Sequence, residues 1–191
     1  MIRASEGIGV RDITLLFTDL KGSTALYEKI GDLNAFALVQ QHFERLQAAT
    51  VRHGGAVVKT IGDAVMATFA EPAAAVRAAI DMLSEIEAFN HGLPGQQLLL
   101  KIGLHRGASI AVTLNDRLDY FGQTVNVAAR VQSLAGANEI YLTRDIYETT
   151  GVPDLLAASF DVEPEIATLP GLHEEVSVFR VMPRHASAGA A

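Results

Sequence analysis

The chain has no cysteine among its 191 residues. Disulfides, thiolate metal ligands and thiol catalysis are therefore excluded together. Long apolar runs are missing as well, and the longest apolar stretches fall far short of the roughly 20 residues a membrane-spanning helix needs. The opening Met1–Gly9 carries one arginine and no apolar core, so it does not read as a secretory signal. With no export signal and no membrane segment, the expected setting is cytoplasmic, for this chain alone or as the cytosolic domain of a larger protein. Basic runs are absent too, and aromatics are few. Lys and Arg number 15 against 22 Asp and Glu, a net charge of −7. Nucleic-acid binders present a basic stripe, so nucleic acid is not an expected partner. An acidic protein that binds a polyanion needs metal ions or a few well-placed cations.

What is present is a globular composition, with 49% hydrophobic and 19% charged residues. The length suits one domain, expected over residues 10–182, with a short leader at 1–9 and a flexible tail at 183–191. Ile13, Leu15, Leu16 and Phe17 form a strand-like run that ends at Asp19. Gly22-Ser23-Thr24 turns the chain into a helix, and Asp32 is the expected N-cap of a second. There Leu33, Phe36, Phe43, Leu46 and Thr50 recur at helical spacing and are expected in the core. Ala56–Ile61 and Ala64–Phe69 flank Gly62-Asp63, a hairpin signal. Glu71-Pro72 opens a further helix. Leu98–Leu104 reads as a strand with Ala108–Leu114 as its hairpin partner. Thr124–Leu134 reads as a helix, and Glu139–Leu142 and Val176–Val181 as later strands. The leading order, β-α-β-β-α-β, is that of an α+β, ferredoxin-like core with C-terminal additions.

Three segments carry chemistry. Phe17-Thr18-Asp19-Leu20-Lys21-Gly22-Ser23-Thr24 sets an acid at a strand end, before a glycine turn whose backbone N–H groups can face an anion. Lys59-Thr60-Ile61-Gly62-Asp63 sets a second acid at a hairpin tip. If the first and second strands pair side by side, Asp19 and Asp63 converge into a hard-oxygen site suited to Mg²⁺ or Mn²⁺. In the third segment, Asp119 to Arg130, Asn126 and Arg130 are four residues apart and share one helix face. An amide beside a guanidinium suits a ribose and a phosphate on which charge develops.

At FTDLKGST, KTIGDAVMATF, KIGLH and DYFGQTVNVAAR the sequence resembles the class III adenylate and guanylate cyclase family, over about Arg11 to Tyr147. The resemblance implies the cyclase catalytic fold and a reaction that turns ATP into cyclic AMP and pyrophosphate with two divalent metal ions. It implies that Asp19 and Asp63 bind the metals and that Phe17, Thr18, Leu20, Lys21, Gly22, Ser23 and Thr24 belong to the triphosphate loop. Lys59 and Asp119 correspond to the pair that reads adenine. Asn126 and Arg130 correspond to the pair that orients the ribose and stabilises the transition state. In the family each site draws its aspartates from one protomer and the other four residues from its partner. A chain with both sets is thus expected to work as a homodimer. Lys59 can donate to N1 of adenine and Asp119 can accept from its 6-amino group. Guanine reverses that edge, and guanylate cyclases resemble one another in having an acid and a small residue at these positions. A guanylate or relaxed-specificity cyclase, or a non-catalytic nucleotide-binding or dimerisation module of the same fold, is the alternative.

Two departures bear on phosphate binding. Many members carry a basic residue two or three positions after the KIGLH histidine, whereas here Arg106 follows His105 directly. Many also carry Leu-Lys-Gly near the last strand, where this chain has Leu169-Pro170-Gly171. Lys21 or Arg144 is the expected substitute. His105 itself is expected to be structural, since no second histidine lies at metal spacing.

Overall fold

A computed structural model describes residues 8–93, 95, 97–114, 116–171 and 175–184. The chain runs β1 (Gly9–Leu20), α1 (Ser23–Ile30), α2 (Asp32–Arg52), β2 (Ala56–Ile61), β3 (Ala64–Phe69), α3 (Pro72–His91) and β4 (Leu100–Leu114). It continues β5 (Arg117–Phe121), α4 (Gln123–Leu134), β6 (Glu139–Thr143), α5 (Arg144–Tyr147), α6 (Val152–Ala157), β7 (Phe160–Thr168) and β8 (Glu175–Pro183). Gly9 and Pro183 thus lie in strands, and most of the expected leader and tail falls outside the described residues.

The eight strands form one sheet in the order β2-β3-β1-β4-β6-β8-β7, with β5 paired to β4. Its first four strands, β2-β3-β1-β4, are antiparallel neighbours, the arrangement of the expected split βαβ core. The strands β6, β8 and β7 are the C-terminal additions. The Leu16, Leu20, Leu100, Ile102 and Leu104 side chains meet Leu46 of α2 and Val76, Met82 and Ile86 of α3 in the main core. On the opposite face, Ile13, Leu15 and Phe17 pack with Ala128 of α4. Among the described residues no helix is long and apolar enough to cross a membrane.

Four expectations need correction. The helix α2 is capped by Gly31, and Asp32 is its first residue rather than its N-cap. Its buried stripe is Ala35, Val39, His42, Leu46, Ala49 and Thr50. Leu33 is 87% and Phe36 59% exposed, so neither joins the core. The polar His42 holds the central place on that stripe, which rotates the apolar reading of the sequence off the true buried face. The third correction concerns β4, which is one continuous strand. Ala108–Leu114 extends it, and its hairpin partner is β5, with Val112 opposite Asp119. Gly107 is no turn here. A Cβ at Gly103 would sit 2.2 Å from the Gln132 backbone, and one at Gly107 would sit 3.0 Å from Thr124. These glycines let α4 lie directly on β4. Fourth, the strand β7 was not expected at all: acids alternate along it and Pro164 interrupts it. As the edge of the sheet it tolerates both.

Candidate active site

The sheet register brings the two acids together. The expected pairing of the first two strands does not occur, because the hairpin return strand β3 lies between β2 and β1; β1 pairs with β3 up to Phe17↔Met66, and the Val65 N–H donates to Thr18 Oγ1 at 3.1 Å. Two residues beyond Phe17, Asp19 therefore lies at the end of β3 beside the Gly62-Asp63 tip. Their proximity is felt electrostatically. Burial, and then the Asp63 charge, raise the Asp19 carboxyl above its ordinary value of 3.8. Lys101, opposite Asp19 on β4, partly offsets this with its Nζ 3.8 Å from Asp19 Oδ2. Asp63 Oδ2 is buried with no hydrogen-bond partner among the described residues.

Two carboxylates, one with an orphaned buried oxygen, fit a hard divalent cation. No group of three or more His, Cys, Asp or Glu suited to a metal occurs among the described residues. A cation at Asp19 and Asp63 would therefore take its remaining ligands from backbone oxygen, water or substrate phosphate, as Mg²⁺ commonly does.

Several side chains of the glycine-turn segment face inward. Phe17 and Leu20 are buried in the two cores, and Thr18 is fully buried with its hydroxyl committed to Val65. The Lys21 N–H donates to Leu99 O at 2.8 Å. The backbone amides at Gly22, Ser23 and Thr24 lie at the start of α1, which Gly22 caps with φ of 78°, where they can face an anion.

Lys59 and Asp119 meet in one chain. Lys59 Nζ donates to Asp119 Oδ1 at 2.9 Å and Oδ2 at 2.7 Å. A β-bulge between Val57 and Lys59 adjusts the strand there, and the ammonium lies 5.8 Å from the Phe121 ring centre. Asp119 also accepts from the Tyr120 N–H at 2.8 Å, which fixes its carboxylate. Asn126 is exposed and Arg130 half-buried, both on α4. Gly171 (φ of 75°) presses against Arg130, so closely that an added Cβ would lie 3.1 Å from Nη2. The Leu169-Pro170-Gly171 turn thus shapes the wall beside Arg130, with Leu169 fully buried beneath it.

Asp119 lies opposite Val112 and Asp19 opposite Lys101, eleven residues farther along β4. Asp119 and Asp19 are therefore anchored toward opposite ends of this strand, while Lys59, in register with Met66, Phe17 and Gly103, lies in a row close to Asp19 and reaches across to Asp119. Arg106 bonds Asp12 at 3.1 Å. It is five residues from Lys101, an odd step that puts it on the other face of β4 from Asp19. Arg144 pairs with Glu148 on the surface. His105 is held by Thr143 at 3.1 Å and lowered by burial, in line with a structural role. Sequence reasoning missed Lys101 and His42. Lys101 opens KIGLH, but only the β1–β4 register shows that it faces Asp19. The signal for His42 is a polar residue on an otherwise apolar 3–4 spacing along α2.

The comparisons with known proteins agree with this architecture. Residues 8–174 match the family model described as the adenylate and guanylate cyclase catalytic domain. Adenylate cyclase 2 of Rhizobium meliloti is 30% identical over 164 residues, covering 79% of this chain and 45% of that protein. An adenylate cyclase of Anabaena cylindrica is 29% identical over 189 residues, covering 90% of this chain and 37% of its own length. The chain thus spans less than half the length of these curated relatives. Among solved structures, the guanylyl cyclase Cya2 superposes with a TM-score of 0.82 at 20% identity, covering 95% of this chain and 98% of that one, a likeness of fold. The fold is that of the class III cyclase catalytic domains. The chain belongs to the adenylate and guanylate cyclase catalytic domain family.

Proposed function

We propose that the chain is an adenylate cyclase that forms 3′,5′-cyclic AMP and pyrophosphate from ATP, in two sites shared across a homodimer. The observation that carries the choice of purine is the Lys59–Asp119 pair, 2.7 Å apart with Asp119 fixed by the Tyr120 amide. A donor beside an acceptor matches N1 and the 6-amino group of adenine and mismatches guanine at both atoms. Each buried mismatch costs about 1–3 kcal/mol.

The ribose 3′-oxygen attacks the α-phosphorus, the bond to the bridging oxygen of the β-phosphate breaks, pyrophosphate leaves, and the 3′-hydroxyl proton is released. No covalent nucleophile is required of the protein, so positioning and charge stabilisation supply the rate. Asp19 and Asp63 would hold two divalent ions, Mg²⁺ or Mn²⁺, which when bound polarise the phosphate and lower the pKa of the attacking hydroxyl. The Gly22, Ser23 and Thr24 amides receive phosphate oxygens. Asn126 orients the ribose, and Arg130, beside Gly171, donates to the charge that grows on the α-phosphate.

A shared site is supported by the surface around the purine-reading half. Ile110 and Phe121, paired across β4 and β5 beside Asp119, are each 43% exposed, apolar surface of the kind that a second copy covers. Asp19→Ala and Arg130→Ala chains should each be nearly inactive as homodimers. Mixed, they should recover activity, because one of the two hybrid sites is intact. No recovery despite demonstrated subunit exchange would contradict the shared site.

A further inference from the structure

The buried stripe of α2 is apolar except at His42 and Thr50. Thr50 satisfies itself by donating to Leu46 O at 2.7 Å. His42 does not. It is fully buried, and neither Nδ1 nor Nε2 has a well-formed hydrogen bond among the described residues. Its ring stands against Phe43 with centroids 5.4 Å apart. The polar neighbour it faces is Asp63, through both the backbone carbonyl and the carboxylate charge. Asp63 Oδ2 is itself buried and unpartnered. Val39 and Leu46, on either side of His42 along the stripe, share one core with Val65 and Ala67 of β3, so α2 packs against the hairpin whose tip carries Asp63. In either protonation state the imidazole carries at least one ring N–H to give.

We propose that His42 is a positioning residue for Asp63: its ring N–H holds the Gly62-Asp63 tip from below, so that the Asp63 carboxylate is presented to a divalent cation. The inference rests on the metal-binding reading of Asp63. A packing position on an apolar stripe would ordinarily be filled by Leu or Phe, which carry no polar atoms to bury. Histidine there leaves its nitrogens unpaired unless they serve a polar neighbour such as Asp63. Carboxylates that ligate metals are commonly held by such outer partners, and loss of the partner weakens metal binding by about 10- to 100-fold.

The test is Mn²⁺ binding to the full chain, read from the loss of the free-ion EPR signal, in wild type, His42→Phe, His42→Gln and Asp63→Ala. His42→Phe keeps the ring volume and removes the donor. It should melt at or above the wild-type temperature yet bind Mn²⁺ about 10- to 100-fold more weakly. His42→Gln restores an N–H donor and should recover most of the affinity. Unchanged Mn²⁺ affinity in His42→Phe, or a loss that Gln does not relieve, assigns His42 to packing and overturns the proposal. Should the Phe variant fail to fold, ring ¹⁵N resonances of wild-type His42 decide. Mg²⁺ should shift them, and not in Asp63→Ala; no shift overturns the proposal. Loss of binding in Asp63→Ala with none in His42→Phe leaves the proposed function standing and removes only the His42 role. Wild-type-like binding by Asp63→Ala removes the metal site itself.

Discussion

The two halves of the candidate site are built on opposite electrostatic terms. Lys59 and Asp119 already satisfy each other at 2.7 Å, with Tyr120 fixing the carboxylate. Asp19 and Asp63 are two like charges brought together by the β1–β3 register, relieved by Lys101 at 3.8 Å, with one carboxylate oxygen buried and unpartnered. The first half is preorganised, ready to read a donor–acceptor edge with little rearrangement. The second is arranged at a cost to the fold, which bound cations would offset in the proposed function. A site that must bind a polyanion within a chain of net charge −7 needs both devices.

The largest expected effect comes from breaking the acidic half. Asp63→Ala should reduce turnover by about 10³-fold or more, since it removes a metal ligand. Changing the other half should redirect the enzyme rather than silence it. Lys59→Glu combined with Asp119→Ala should lower ATP turnover by roughly 10- to 100-fold and raise that of GTP. If the double variant loses ATP turnover with no change in the ratio of the two nucleotides, the purine assignment is wrong.

The smallest effect is thermodynamic and has a definite sign. Burial and Asp63 raise the Asp19 carboxyl, so the fold favours its protonated form. The corresponding stability is present below the ordinary carboxylate pKa and is lost as pH rises through the raised value. Asp19→Asn should therefore melt about 1–3 °C above wild type at neutral pH, a modest gain because Asp19 is 35% exposed and partly screened. The gap should close as the pH falls into the carboxylate range. Added Mn²⁺ should stabilise wild type and not the Asn variant. A melting difference independent of pH would show that the acids do not repel.

Local signals made much of this readable beforehand. The Gly62-Asp63 turn, the apolar run into Asp19 and the spacing of Asn126 and Arg130 are each written in a few consecutive residues. The β-α-β-β-α-β order then brings the acids together. What escaped depends on packing between distant segments. Gly107 looks like a turn residue until α4 is seen lying on it. Leu33 and Phe36 look like core because His42, the residue that marks the buried face of α2, is polar. The inward commitment of the Thr18 and Leu20 side chains likewise shows only in the packed strand. Lys101 acquires meaning only from the strand register that sets it against Asp19.

The central claim, ATP cyclisation at this site, is tested most directly by incubating the purified protein with ATP or GTP and Mg²⁺ or Mn²⁺ and quantifying the cyclic nucleotide. The account predicts cyclic AMP well in excess of cyclic GMP at concentrations that favour the dimer. Cyclic GMP as the main product would contradict the Lys59–Asp119 reading, and no cyclic product at all would contradict the assignment of a catalytic site.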